Sequence, residues 1–168
     1  MADDSFDRYL KFITPVWGDP TYSILKAHLL VEELLRIQLR RVLPHPEALS
    51  GSRLTFAQLL ALVRACSDVS PDYWCWVAVA KLNKLRNMLS HEAAPTNMTE
   101  KLDEYVRYVV DNSGVPLPVP GLTTSQNEGH GQPAAMYLPV DMATIGLYYA
   151  LTGLLRMPTG PSTAPEGT

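Results

Sequence analysis

The chain alternates between segments with a helical period of apolar residues and segments without one. In the first such segment, apolar side chains recur every three or four residues, which places them on one face of a helix. No useful length of sequence shows the strict apolar and polar alternation that is typical of a half-buried strand. Helices are therefore predicted over 22–43, 56–66, 71–90, 99–112 and 141–156.

Turn-forming and capping residues mark the ends of these segments. Pro44 ends the first repeat, and Thr55 has a side chain suited to capping the second helix. Pro71 suits the first turn of the third helix, and Gly114 suits the end of the fourth. Short early connections favour antiparallel neighbours, so the predicted fold is all-α, an antiparallel bundle of four to five helices.

Composition divides the chain into four regions. Residues 1–114 form the predicted helical core, and 115–134 are rich in Pro and Gly, which predicts a linker without regular structure. Residues 135–157 hold an additional helix that is apolar nearly all round, as expected for one that packs on the core. Residues 158–168 are predicted to be a disordered tail.

Length and hydropathy indicate one core and no membrane span. The chain has 168 residues, 46% of them hydrophobic, which suits a single ordinary domain. Its longest apolar run, 142–155, is shorter than the roughly 20 residues that cross a bilayer. The acidic start lacks the apolar run of a secretory signal, so we expect a cytoplasmic protein with no membrane partner. Cys66 and Cys75 lack metal-type spacing and are expected to be reduced core thiols.

The net charge of −3 is unevenly distributed. Residues 21–91 carry nine Lys and Arg against five Asp and Glu, whereas 92–168 carry three against eight. A basic middle would suit a local polyanion site, although solvated helix faces give similar counts. Tight electrostatic binding of long nucleic acid is not implied.

The third helix presents one apolar side and one polar side. On a helical projection, the apolar side carries Trp74, Ala78, Leu82, Leu85, Met88 and Leu89. The opposite side, called here the polar arc, carries Asn83, Lys84, Arg86, Asn87, Ser90 and His91. Asn is a poor helix former, so its double occurrence favours a functional face over a merely solvated one. A guanidinium can hold a phosphate and an imidazole can transfer a proton near neutral pH.

Other chemical groupings in the sequence have simpler interpretations. Arg40 and His45 repeat the Arg-to-His spacing, but prolines flank this histidine and the pair is interpreted as coincidence. His28, Glu32 and Glu33 could hold a metal by spacing, yet such a cluster on one helix is more often a surface group. Three aromatic residues that could stack on bases are more typical of core or dimer contacts: Tyr73, Trp74 and Trp76.

The end of the third helix resembles the signature of the HEPN domain family. In that family an Arg is followed by a polar residue, a few further residues and a His, and Arg86, Asn87 and His91 match the pattern. Residues 27–35 are similar, more weakly, to the first long helix of several subfamilies, including the mannitol operon repressor group. The resemblance covers roughly residues 20–112.

The resemblance implies a metal-independent endoribonuclease, a toxin or defence component that cuts RNA by attack of the 2′-hydroxyl. It implies a homodimer whose two motifs face each other across a cleft, with no metal and no cofactor. The catalytic residues carried over are Arg86, Asn87 and His91, and the substrate-binding candidates on the polar arc are Asn83, Lys84 and Ser90. A cognate antitoxin or a regulatory protein is a further expected partner.

Two other functions fit the same resemblance. A non-catalytic HEPN-like regulator or scaffold would bind a nucleotide or a protein and cut nothing. An antitoxin-like partner is a third reading, less favoured because the motif is complete. Family members paired with a nucleotidyltransferase antitoxin often carry Tyr two residues after the His, where this chain has Ala93, so neutralisation by nucleotide transfer is not supported.

Overall fold

The computed structural model describes residues 20–91, 95–114 and 139–156. Helices account for most of this part of the chain, and it contains no strand, which confirms the predicted all-α class. The predicted linker at 115–134, the tail at 158–168 and Ala93 lie outside the described residues. The helices are α1 (Pro20–Val42), α2 (Phe56–Ala65), α3 (Trp74–His91), α4 (Met98–Ser113) and α5 (Pro139–Arg156), with a 3₁₀ turn at Pro46–Leu49.

Local capping signals were sufficient to locate two helix ends. Thr55 Oγ1 accepts a hydrogen bond from Gln58 N at 3.3 Å, and Gln58 Oε1 accepts one from Thr55 N at 3.0 Å. This reciprocal capping box satisfies two amides that the start of a helix leaves unpaired. At the end of α4, Gly114 takes the left-handed conformation with φ of 67° and donates from its amide to Val110 O at 3.2 Å. Both predicted boundaries are confirmed.

The predicted start of the third helix at Pro71 is wrong by one turn. Tyr73 N donates to Ser70 O at 3.0 Å, which closes a turn through Pro71 instead of a first helical turn. Asp72 N donates to Ser70 Oγ at 3.3 Å, and Trp76 Nε1 donates to Ser70 O at 3.2 Å. These bonds fix the serine in the turn, so α3 begins only at Trp74.

Helix α3 occupies the centre of the fold, since it contacts each of the other four helices. Its buried side includes Trp76 and Leu82, which lie in one hydrophobic core with residues of every other helix. Thr144 Oγ1 of α5 donates to Val140 O, and it lies 3.2 Å from Tyr105 Oη of α4, which therefore donates to it. The packing of the other four helices on α3 fixes the position of its polar side.

The two cysteines differ in environment. Cys75 is fully buried in α3, and burial raises the pKa of its thiol to about 12, so it is an unreactive core thiol as expected. Cys66 is exposed, and the prediction that it belongs to the core is wrong. The reason is local: Cys66 caps the C-terminus of α2, where the helical apolar pattern no longer faces the core. No helix in the described part of the chain combines the length and apolar content needed to cross a bilayer.

Candidate functional site

A polar cleft lies between α1, the first turn of α2 and the polar side of α3. Its volume is about 340 Å³. Helix α3 contributes three of the predicted site residues to its wall, Asn83, Arg86 and Asn87. Helix α1 contributes His28 and Glu32, and α2 contributes its first residues, 55–57. The cleft therefore joins part of the polar arc to residues far away in the sequence.

His28 is the buried polar group of this cleft. Its side chain is only 5% exposed and its ring lies against that of Phe56, with centroids 4.2 Å apart. Nε2 is 3.1 Å from Asn83 Oδ1, and because a carbonyl oxygen can only accept, Nε2 carries the hydrogen and donates. Burial, together with the charge of Arg86, lowers the pKa of His28 against the opposing effects of Asn83 and Glu32, so the ring is neutral at pH 7.

Arg86 keeps its positive charge without a carboxylate partner in the described part of the chain. Its side-chain hydrogen bond there is from Nη1 to Asn87 Oδ1, at 3.2 Å. The nearby carboxylate of Glu32 is already paired, since Arg36 Nη2 donates to its Oε1 at 2.7 Å. A guanidinium whose charge is not neutralised by protein groups is available to bind an anion.

The remaining hydrogen-bonding capacity of the cleft consists mainly of donors. Asn83 and Asn87 each accept through Oδ1, from His28 and Arg86 respectively, which leaves the two amide NH₂ groups without a partner among the described residues. The capping box pairs the amides of Thr55 and Gln58, so the first-turn amides at the wall of the cleft remain as further donors. A concave surface that is rich in donors and holds a guanidinium without a carboxylate partner among the described residues is complementary to a phosphate.

The other predicted site residues lie outside this cleft. His91 is the last residue of α3, is exposed, and makes no polar side-chain contact within the described ranges. Ser90 Oγ donates to Arg86 O at 3.0 Å, so its hydroxyl is used inside the helix. Lys84 lies on the other side of α3, in a groove shared with Lys101 of α4. The structure thus brings three of the six predicted residues together and leaves His91 one turn beyond Asn87.

The α4 side of α3 carries paired charges. Lys81 of α3 and Lys101 of α4 both donate to the carboxylate of Glu104, and the second contact is 2.9 Å long. These two contacts hold the pKa of Glu104 down at about 2. Lys81 Nζ also lies 5.3 Å from the centre of the Tyr108 ring. Two lysines on this side therefore share one carboxylate, whereas Lys84 in the same groove has no ion pair among the described residues.

The role of His28 in the wall of the cleft is not predicted by the sequence pattern. The spacing of His28, Glu32 and Glu33 indicates a surface group, which is wrong for His28, because its side chain is buried and bonded to Asn83, 55 residues away. No group of three or more potential metal ligands occurs among the described residues. The available signal was that His28 lies beside the buried stripe of α1 that includes Ala27 and Val31, which indicates contact with another helix.

Comparisons of the chain with protein-family models, with curated proteins and with solved structures found no match.

Proposed function

We propose that this protein is a metal-independent endoribonuclease of HEPN type, in which Arg86 and Asn87 bind the RNA phosphate and His91 transfers protons. The observation that carries the proposal is the unneutralised guanidinium of Arg86, set at a donor-rich cleft on the helix that ends with His91. A bound phosphodiester would supply a negative charge for Arg86, because the Glu32 carboxylate in the cleft is already paired with Arg36.

In the proposed reaction the 2′-hydroxyl oxygen attacks the adjacent phosphorus, and the bond from phosphorus to the 5′-oxygen breaks. A neutral His91 takes the proton of the 2′-hydroxyl, and a protonated His91 gives one to the departing 5′-oxygen. Arg86 stabilises the extra negative charge on the phosphoryl oxygens. The products are a 2′,3′-cyclic phosphate and a 5′-hydroxyl, and DNA is not a substrate because it has no 2′-hydroxyl.

We also propose that the helices pack antiparallel to one another. The proposed mechanism further requires a two-fold homodimer. One histidine cannot be acid and base at once, whereas two copies about a two-fold axis supply both protonation states. Two exposed leucines one turn apart on α1 support a partner surface beside the cleft: Leu25 is 39% exposed, and Leu29, next to His28 in the chain, is 61% exposed. A partner subunit on this face would cover both side chains.

The proposal is tested by the rates of RNA cleavage of Arg86→Ala and His91→Ala. Each variant is expected to cut about 100-fold more slowly than the wild type, the scale for losing one electrostatic or acid–base group. His45→Ala is the matched control, because His45 is an exposed histidine outside the cleft. Unchanged rates in both site variants would contradict the mechanism. As a toxin, the wild-type protein should also inhibit growth on expression, and His91→Ala should not.

A second candidate function is a regulator that binds a nucleotide and cuts nothing. The observation that favours it is the position of His91, which is exposed and lies outside the cleft that holds Arg86. Such a protein would bind a nucleotide through the cleft, and this binding would survive His91→Ala. It would show no RNA cleavage in the wild type and no effect of His91→Ala on growth.

A further inference from the structure

We infer that the phosphate subsite extends beyond the Arg86 motif, with Asn83 as a direct ligand of an RNA phosphate and His28 as its positioning residue. This inference rests on the proposed function, because it specifies how the same site holds its substrate. It adds His28 of α1 and Asn83, one turn before Asn87 on α3, to the residues that bind RNA. It also specifies how they act, since a hydrogen bond from His28 orients the side chain of Asn83.

The first step is the orientation of the Asn83 amide. An asparagine side chain offers one acceptor and two donors, and rotation by half a turn exchanges them. His28 Nε2 lies 3.1 Å from Asn83 Oδ1, and its donated hydrogen fixes the carbonyl end toward α1. The NH₂ group is then the end left for a ligand, and it has no partner in the described part of the chain. The bond to His28 therefore fixes the Asn83 side chain in the orientation in which it offers hydrogen-bond donors to a ligand.

The second step is that His28 itself is held in place. It is 5% exposed, its ring packs on Phe56, and its Nδ1 lies 4.0 Å from Glu32 Oε2. A buried histidine that stays neutral keeps one ring N–H, and the contact with Asn83 assigns that N–H to Nε2. A protonated His28 would repel Arg86, whose charge acts on the ring. Neutral His28 can therefore orient Asn83 without competing with Arg86 for the phosphate.

The third step is the match between the resulting donors and a phosphodiester. The cleft offers the guanidinium of Arg86 and the NH₂ groups of Asn83 and Asn87, while the carboxylate of Glu32 is engaged by Arg36. Two non-bridging oxygens of a phosphodiester accept several hydrogen bonds and carry one negative charge, which this set satisfies. These donors contact the phosphate alone, so they help to position the strand without reading its bases.

The test measures binding of a single-stranded 2′-O-methyl RNA oligonucleotide, which cannot be cut because its 2′-oxygen is blocked. Fluorescence anisotropy of a labelled oligonucleotide gives the Kd for the full-length wild-type protein and its variants. Asn83→Ala is expected to weaken binding about tenfold, the effect of losing one hydrogen bond to a charged group. Asn112→Ala is the matched control, since Asn112 on α4 is exposed and its side chain, within the described residues, donates to Tyr108 O of its own helix at 2.8 Å.

The positioning role of His28 makes a prediction that a general loss of structure would not produce. His28→Ala is expected to weaken binding by about as much as Asn83→Ala, and the double variant no more than Asn83→Ala alone, because both changes remove one interaction. His28→Gln retains an N–H that can reach Asn83 Oδ1 and should bind within about threefold of the wild type. Circular dichroism confirms that each variant is folded at the temperature of the assay.

The outcomes separate this inference from the proposed function. If the wild type binds the oligonucleotide through Asn83 and His28 but cuts no RNA, the inference stands and the nuclease proposal fails. If RNA is cut normally while Asn83→Ala and His28→Ala bind like the wild type, the inference is overturned and the nuclease proposal stands. Additive losses in the double variant would overturn the positioning role of His28.

Two further binding measurements distinguish a nucleic-acid phosphate from free inorganic phosphate as the ligand. A DNA oligonucleotide of the same sequence should bind within about threefold of the 2′-O-methyl RNA, because the donors contact only phosphate. Inorganic phosphate should compete only weakly. Tight binding of inorganic phosphate, lost in Asn83→Ala, together with no binding of either oligonucleotide, would contradict an RNA strand as the ligand.

Discussion

The two sides of helix α3 handle their positive charge in different ways. On the α4 side, Lys81 and Lys101 share the carboxylate of Glu104. On the α1 side, the hydrogen bond of Arg86 within the described residues goes to the neutral Asn87, while the Glu32 carboxylate of the same cleft is engaged by Arg36. The comparison shows that the number of basic residues does not identify an anion site. What distinguishes the cleft is a guanidinium without a carboxylate partner among the described residues, set beside unused amide donors.

The largest expected difference between the two sides appears on charge reversal. Arg86→Glu should weaken binding of the 2′-O-methyl RNA about 30-fold or more, because it removes a charge-assisted contact and adds repulsion. Lys81→Glu on the α4 side should change the Kd by less than about threefold, because a lysine that is already paired with Glu104 contributes little to binding. Anisotropy titrations at one fixed salt concentration measure both. Equal losses in the two variants would break the distinction between the sides.

A smaller effect is expected from placing a carboxylate inside the cleft. Asn83→Asp keeps the size of the side chain but gives Arg86 a nearby negative charge of the kind that Glu104 provides on the other side. Binding of the same oligonucleotide should fall about 20-fold, more than in Asn83→Ala, since the cleft loses a donor and gains a negative charge beside Arg86. Asn112→Asp on α4 serves as the matched control for added charge. An unchanged Kd for Asn83→Asp would show that neutralisation of Arg86 is irrelevant.

The converse change frees the lysines of the α4 side. Glu104→Gln removes the carboxylate that Lys81 and Lys101 share, so this side should gain weak affinity for RNA. The gain in overall affinity is expected to be about twofold, because exposed point charges are screened by salt. It should vanish when the salt concentration is raised tenfold. A gain as large as the loss in Arg86→Glu would mean that charge alone, without the amide donors, makes the site.

The two sides should also lose stability in different pH ranges. The pKa of His28 in the folded protein is lowered from 6.5, so as the pH falls His28 is protonated in the unfolded chain before it is protonated in the folded one. The free energy of unfolding therefore falls as the pH drops below 6.5. The pKa of Glu104 is lowered from 4.5 to about 2, so its contribution is present above 4.5 and is lost as the pH falls toward 2.

Urea unfolding at a series of pH values separates the two effects. His28→Gln should lack the decline just below pH 6.5 and keep the later one, and Glu104→Gln should show the reverse. The second step is the smaller, because Glu104 is exposed and its ion pairs are screened by solvent. A decline below pH 6.5 that persists unchanged in His28→Gln would contradict a buried neutral imidazole in the cleft.

The helices could be predicted from the sequence because their signals are local. The apolar period of α1, the capping box that begins at Thr55 and the left-handed Gly114 each depend on residues within a few positions. The start of α3 was misplaced because the side chain of Trp76 adds a bond to Ser70 O that no capping rule includes. Cys66 was misplaced because a helical period does not tell where the core ends.

The candidate site could be predicted only in part. Arg86 and Asn87 are adjacent in the chain, and the polar arc places both on the side of α3 away from its buried face, where Arg86 is half-buried and Asn87 exposed. The bond between His28 and Asn83 joins residues 55 positions apart, and it depends on how α1 packs against α3. The pairing of Lys81 with Glu104, on the next helix, depends in the same way on tertiary packing. Sequence patterns therefore found the charged residues but not which of them are neutralised.

The most direct test of the central claim is incubation of the purified protein with single-stranded RNA and with DNA of the same sequence, in the presence of a chelator. The proposal predicts cleavage of RNA alone, with 2′,3′-cyclic phosphate and 5′-hydroxyl ends, and loss of that cleavage in His91→Ala. No cleavage by the wild type, or equal cleavage by wild type and variant, would contradict it. If the wild-type protein cuts no RNA but still binds a nucleotide, the non-catalytic regulator is favoured instead.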